Sequence, residues 1–329
     1  DCIMKLRVAI VVCVVTTFAI VAIEPSSHAA KSVKSKDVVI NVVGDVHGES
    51  AINRRAIPAL KQYFRDGDLN IFNLETAVTN HDVKEEKEYN FKTSSNFLIS
   101  LKSAGLNLAN IANNHSYDYG LKGFEDTLKN LDRTGLDYVG GGLNSSAAYE
   151  GQIYTIKGLR IGILGIAKVN GGPESIATRD KAGTTNGYDN ISTEQAITQL
   201  RAASDVVIIL THWGEEGSFC PRPSERSSAK KWSALGADII LGSHTHTLQP
   251  VILENNKLTA YSMGNFIFYS SKMENRSTGI LKIRITPKKR ISYTIQPMLI
   301  NNLTKVPEKS AALYTPDIDC ENQANTTVR

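Results

Sequence analysis

Ile239-Ile240-Leu241-Gly242-Ser243-His244-Thr245-His246 sets a short apolar, β-branched run directly against a glycine and two histidines. A buried strand that runs into a polar cluster is the local pattern of a layered α/β domain, because sites in such sheets form at the carboxyl ends of strands. The pattern recurs along the chain. Residues 38–43 lead into Gly44-Asp45-Val46-His47-Gly48 and residues 69–73 into Leu74-Glu75-Thr76. Residues 106–111 lead into Ala112-Asn113-Asn114-His115, and 205–210 into Thr211-His212-Trp213-Gly214-Glu215. Residues 160–166 and 258–262 are further strand candidates. Helical stretches lie between them. Phe124, Leu128 and Leu131 share one helix face that stops at Gly135. Ser192 and Gln195 read as a capping box ahead of Ala196, Ile197 and Leu200, and 227–235 reads as a helix before Gly236. Alternation over 278–295 predicts a terminal hairpin on the main sheet.

Each polar fragment alone is ambiguous. His244 and His246 share a face if their segment is extended, as do Asp45 and His47. Glu75 by itself is a helix cap or a surface acid, whereas beside the other clusters it is a carboxylate able to bridge two cations. Asn114 offers a carbonyl oxygen to a hard ion, and the adjacent His115 offers a general acid. The combination decides between these readings. Five of the seven histidines (47, 115, 212, 244 and 246) fall inside the clusters, leaving only His28 and His81 elsewhere.

With 329 residues, 41% hydrophobic and 21% charged, the chain has room for one large domain or two small ones. Its net charge of +4 is too small and too dispersed for a nucleic-acid footprint, so no nucleic-acid partner is expected. Lys5 and Arg7 precede an apolar run over 8–23 broken only by Thr16 and Thr17, which is an export signal. Its 16 residues fall between a signal-peptide core and a membrane span. Residues 1–30 are therefore either a signal peptide cut near Ser27-His28-Ala29 or a membrane anchor, and the remainder is expected outside the cytoplasm. Cys220 and Cys320 are either a disulfide or two unrelated thiols, since spacing says nothing about Cα separation. No CxxC spacing points to structural zinc. One domain is expected over 36–307, followed by a tail over 308–329.

Asp45-x-His47, Asn73-Leu74-Glu75, Asn113-Asn114-His115, His212 and Gly242-Ser243-His244-Thr245-His246 are counterparts, in order, of the five motifs of the calcineurin-like metallophosphoesterase superfamily. The second and third depart from that pattern. Together with Asp118-Tyr119-Gly120, H-W-G-E at 212–215, G-S-H-T-H-T-L-Q-P at 242–250 and Y-S-M-G-N-F at 261–266, they make residues 39–268 resemble the CapA family of poly-gamma-glutamate capsule synthesis proteins. The resemblance implies a metallophosphoesterase-like α/β fold, a β-sandwich flanked by helices in four αββα layers. It also implies two divalent ions, Mn, Fe or Zn. Asp45, His47 and His246 hold one, Glu75 bridges, Asn114, His212 and His244 hold the other, and His115 is left free for catalysis. Such a pair clamps a phosphoryl or carbonyl oxygen and activates water.

Family members more often lack a histidine two residues after the first aspartate, so His47 brings this chain nearer the catalytic superfamily pattern. Arg54, Arg55, Asn265 and Glu215 are the candidates for substrate contact, arginine being suited to gripping an anion with two donors. Arg54 and Arg55 also read as solvated helix charges, and Gly264-Asn265 as a turn. Three functions fit. The first is assembly, export or anchoring of a poly-gamma-glutamate polymer, alongside membrane-embedded capsule synthase subunits. The second is a general extracytoplasmic phosphoesterase, and the third a non-catalytic polymer-binding component of a membrane synthase. The substrate is accordingly an anionic polymer or a phosphoester.

Overall fold

Runs of Val, Ile and Leu that are buried on both faces read as continuous apolar strands, and here they build two sheets packed face to face. The computed structural model describes residues 36–313 and Cys320. In chain order the strands are β1 (Val38–Val46), β2 (Leu69–Leu74), β3 (Leu108–Asn110), β4 (Asp137–Val139), β5 (Gln152–Ile156), β6 (Leu159–Ala167) and β7 (Val206–His212). There follow β8 (Ile239–Ser243), β9 (Val251–Glu254), β10 (Lys257–Ala260), β11 (Asn265–Ile267), β12 (Ser277–Ile285), β13 (Ile291–Ile300) and β14 (Pro307–Lys309). The first sheet runs β14-β13-β12-β1-β2-β3-β4 with β11 also beside β1, and the second runs β9-β10-β8-β7-β6-β5. Within them β1 to β4 are parallel, as are β6, β7, β8 and β10. Each set therefore ends along one edge.

Ile40 and Val42 of β1 and Ile71 of β2 meet Ile163, Ile208 and Leu241 of the second sheet in the central core. The outer face of the first sheet is covered by α1 (Ser95–Ser103) and α2 (Gly120–Thr134), whose Phe97, Leu101, Phe124 and Leu128 pack on Val43 and Phe72. The outer face of the second is covered by α3 (Asn190–Ala203) and α4 (Pro223–Leu235) through Ile197, Leu200 and Trp232. The order helix, sheet, sheet, helix is the four-layer αββα sandwich expected from the motifs.

Local details differ from the sequence reading. The cap of α3 is Asp189, which accepts from Ser192 N at 3.1 Å and from Ser192 Oγ at 2.6 Å. Ser192 thus lies inside the first turn, because a carboxylate three residues earlier captures the free N–H. The helix expected to open at 227 opens at Pro223, where Glu225 accepts from Arg222 N at 2.7 Å. β7 and β8 extend through His212 and Ser243, so polar residues expected after these strands belong to them. The terminal hairpin forms as β12 and β13, with β12 antiparallel to β1.

At the C-terminal side β14 pairs with β13, and Cys320 is joined to Cys220 with their Cα atoms 5.4 Å apart. The boundary expected at 307 thus falls on the first residue of a strand. Residues 1–30, the expected leader, lie outside the described residues, as does most of the expected tail. Among the described residues no helix is long and apolar enough to cross a membrane. The disulfide joins residues 100 positions apart, and a bridge over so long a loop removes much of the unfolded chain's freedom. Cys320→Ser is expected to lower stability by about 2–5 kcal/mol, read from the midpoint of chemical denaturation. An unchanged midpoint would show that the bridge adds nothing to this fold.

Candidate metal centre

Strand ends of both sheets meet at one edge of the sandwich. Asp45 lies near the end of β1, Glu75 follows β2, His212 ends β7, and the turn after β8 carries His244 and His246. Two groups form around one shared carboxylate. Asp45, Glu75 and His246 have ligand atoms all within 4.8 Å of one another, and so do Glu75, His212 and His244. Glu75 Oε1 is 3.7 Å from His212 Nε2 and 3.9 Å from His246 Nε2, while Asp45 Oδ2 is 3.3 Å from His246 Nδ1. Asn114 Oδ1 joins the second group, 2.7 Å from His212 Nε2.

The backbone is bent to achieve this. Asp45 N donates to Gly264 O at 2.8 Å. A Cβ on Gly44 would fall 1.8 Å from that oxygen, so only glycine fits before Asp45. His244 and His246 have φ of 93° and 58°, a region that costs a residue with a side chain roughly 1–3 kcal/mol. The expectation of an extended His-x-His is thus corrected: the chain turns at each histidine, and the turns bring both imidazoles to Glu75.

The donor set fits divalent cations. Glu75 Oε1 and His244 Nδ1 are buried without a hydrogen-bond partner, an arrangement proteins avoid unless something else binds there. Burial, with Asp45 adding, holds Glu75 well above the usual carboxylate range. Burial pushes His212 well below its ordinary value and His244 down to about 4, with neighbouring imidazoles adding in each case. His246 moves the other way, since the hydrogen bond and charge of Asp45 outweigh its burial. Neutral imidazole is the form that ligates, and a cation is what these crowded carboxylates lack.

A family model for the bacterial capsule synthesis protein PGA_cap matches residues 39–270, the span that carries every one of these side chains. The chain belongs to this family. The PGA biosynthesis protein CapA of Bacillus subtilis is 29% identical over 291 residues, covering 85% of this chain and 76% of that protein. The capsule biosynthesis protein CapA of Bacillus anthracis is 28% identical over 307 residues, covering 88% and 73%. Among solved structures, the NAD nucleotidase of Haemophilus influenzae covers 85% of this chain and 60% of its own, with 14% identity and a TM-score of 0.48.

Within this capsule-synthesis domain His47, an expected ligand, has both ring nitrogens buried without a hydrogen-bond partner, like Glu75 Oε1 and His244 Nδ1. It lies in neither group. Its buried ring sits among Phe268, Phe91 and Tyr269, with centroids 4.1, 4.8 and 5.1 Å away. Burial, with His115 and His246 adding, pushes it down to about 3. β1 ends at Val46, so His47 has left the strand and the alternation that would return it to the face of Asp45 no longer applies.

Of the expected substrate contacts, Arg54 and Asn265 are engaged by neighbouring groups. Arg54 donates to Ser94 Oγ, Thr93 Oγ1 and Gly48 O at 3.0, 3.1 and 3.2 Å, bracing the loop after β1. Arg55 is exposed, and Glu215 is an exposed partner of Arg222 at 3.7 Å. Asn265 is buried, with Oδ1 2.8 Å from His246 Nδ1 and Nδ2 donating to Asn275 O at 3.0 Å. It fixes the imidazole and has no free end for a substrate. Asn265→Ala is expected to weaken metal affinity about 10- to 100-fold, as loss of a ligand-orienting partner does. Titration against a chelating indicator reads this, and unchanged affinity would show that His246 holds its orientation unaided.

His115 stands at the edge of both groups, its Nε2 3.9 Å from Glu75 Oε1. Its Nδ1 is 2.8 Å from Asp118 Oδ2, and Phe91 stacks on its ring at 4.2 Å. Burial lowers its pKa, and Asp118 opposes that shift. The segment is a turn rather than extended, so Asn114 and His115 both face the centre, the first toward His212 and the second toward Glu75. Asp118 is itself held by Phe91 N at 2.6 Å and by Lys87.

The residue that the motifs left without a role is Asn73. Its Nδ2 donates to Asp45 Oδ1 at 2.9 Å and reaches Glu75 Oε2 at 3.4 Å. Its Oδ1 accepts from Asn110 and Asn113 at 3.1 and 3.2 Å. A polar residue inside the apolar run Leu69-Asn70-Ile71-Phe72-Asn73-Leu74 was the signal available.

Proposed function

We propose that this chain is an extracytoplasmic component of poly-gamma-glutamate-type capsule polymer synthesis, whose strand-end cluster holds two divalent cations for hydrolysis. The observation that carries the reading is Glu75, a buried carboxylate shared by two ligand groups with Oε1 unpartnered. Asp45, Glu75 and His246 would hold one ion, and Glu75, His212, His244 and Asn114 the other. Mixed nitrogen and oxygen donors suit Mn, Fe or Zn. When bound, such a pair supplies polarisation of a phosphoryl or carbonyl oxygen and activation of water at neutral pH.

The chain's own residues supply the rest. Asn73 fixes the two carboxylates relative to each other, and Ser243 Oγ, 2.9 Å from His212 Nδ1, orients that ring so Nε2 faces Glu75. Asp118 holds His115 at Nδ1, and its charge stabilises the imidazolium that forms when Nε2 takes up a proton. From Nε2 that proton is then delivered to the leaving atom. The names of the two Bacillus relatives support a polymer substrate. The charged and apolar pattern of residues 1–30 supports export or anchoring, with membrane-embedded synthase subunits as partners. The test is an assay of metal-loaded protein on a panel of phosphoesters and γ-glutamyl amides. Metal-dependent turnover in that panel is expected. Stoichiometric metal with no turnover on either class would replace hydrolysis with polymer binding.

A further inference from the structure

The cavity that opens onto the cluster has walls that metal chemistry does not use. It measures about 400 Å³ and runs from His115 and His246 past Phe91 and Phe268 to Tyr89 and Tyr269. The two tyrosines are 58% and 37% exposed, so their rings are open to a ligand. Tyr269 continues the aromatic surface, 5.9 Å from Phe268, which is 6.0 Å from Phe91. Two charged side chains besides the histidines line the cavity, Glu216 and Lys272, of opposite sign. Both are exposed, and neither is in a salt bridge among the described residues.

Set against a polymer of γ-linked glutamate, this lining discriminates. The interior of such a chain carries one carboxylate per residue, and a run of carboxylates calls for several cations. Apart from the cluster's own cations it would find here one ammonium, one carboxylate and the electron-rich faces of aromatic rings. The amino-terminal end is different, because its first residue carries an ammonium and a carboxylate on one carbon. The ammonium suits the ring faces and Glu216, and the carboxylate suits Lys272. The side-chain carbonyl of the same residue, which carries the γ-amide, lies two methylenes from that carbon and is free to reach the cluster.

We infer that this cavity recognises the zwitterionic amino-terminal end of a γ-glutamyl chain and presents the first γ-amide to the cluster, so that the protein acts at chain ends. The inference rests on the polymer reading above and adds to it which part of the polymer enters. The test uses the full chain loaded with Mn²⁺ and isothermal titration calorimetry. Tri-γ-glutamate is compared with its N-acetylated form, which keeps every carboxylate and loses only the ammonium. Wild type is expected to bind the free form at least about tenfold more tightly. Glu216→Gln is expected to reduce that preference to less than about threefold, and Lys272→Met to weaken both forms. Equal affinity of wild type for the two forms would overturn end recognition and leave the polymer reading standing. Binding of neither would overturn both together. A preference left intact by Glu216→Gln would overturn the assignment of the ammonium to this carboxylate.

Discussion

His115→Ala is expected to keep its full complement of metal and to lose turnover by about 100- to 10,000-fold, the range for a positioned general acid. Its imidazole touches the edge of the cluster but belongs to neither ligand group, so removing it leaves the ligand count unchanged. What is lost is a proton source held at a fixed place by Asp118 and by the face of Phe91. The loss should depend on the leaving group. A nitrophenyl ester departs as a weakly basic oxygen that needs little protonation, and it should be spared relative to an alkyl ester or an amide. Asp118→Asn should reproduce part of the effect with the imidazole still present, because the amide cannot stabilise the imidazolium. Metal loss in His115→Ala would instead make His115 a ligand. Full metal with unchanged turnover on both kinds of ester would leave it structural.

Glu75→Gln is expected to lose metal more severely than Asp118→Asn does. Asp118 touches His115 rather than a ligand, so Asp118→Asn should leave metal affinity near that of wild type, whereas losing the outer partner of a ligand costs about 10- to 100-fold. Glu75 is shared by both groups, so its replacement removes charge from two ions at once and should exceed that range. The metal-free fold should not suffer, since the amide relieves a buried carboxylate held against Asp45. The expected pattern is therefore a metal-free variant at least as stable as metal-free wild type that gains little thermal stability on adding Mn²⁺. Stabilisation by Mn²⁺ equal to that of wild type would remove Glu75 from the bridging role. A destabilised metal-free variant would point to a structural carboxylate.

Much of this candidate centre was legible because its candidate ligands sit where apolar runs stop. β1, β2, β7 and β8 deliver Asp45, Glu75, His212 and the His244 turn to one edge, and that follows from strand polarity alone. What the sequence could not carry was backbone irregularity. His-x-His and Asp-x-His have the same spacing, yet turns at φ of 93° and 58° bring both members of the first pair in. His47 lies one residue past the end of β1, where strand alternation no longer sets its direction. The helix cap at Asp189, the early start of α4 and the late ends of β7 and β8 are differences of a few residues, within what local propensity can resolve.

Side-chain destinations were hidden for a different reason. Arg54 has the chemistry of an anion grip, but three acceptors from the loop and from Thr93 and Ser94 take its donors first. Asn265 and Asn73 are positioning residues whose partners are distant in sequence, and no local pattern announces such a pairing. Cys220 and Cys320 likewise gave no hint of a 5.4 Å Cα separation across 100 positions.

The central claim is that one carboxylate, Glu75, is shared by two cations. The most direct measurement is anomalous diffraction at the manganese edge from crystals of the full chain grown with Mn²⁺. Two anomalous peaks are predicted, both in contact with Glu75, one also touching Asp45 and His246 and the other His212 and His244. A single peak, or a peak ligated without Glu75, would contradict the account.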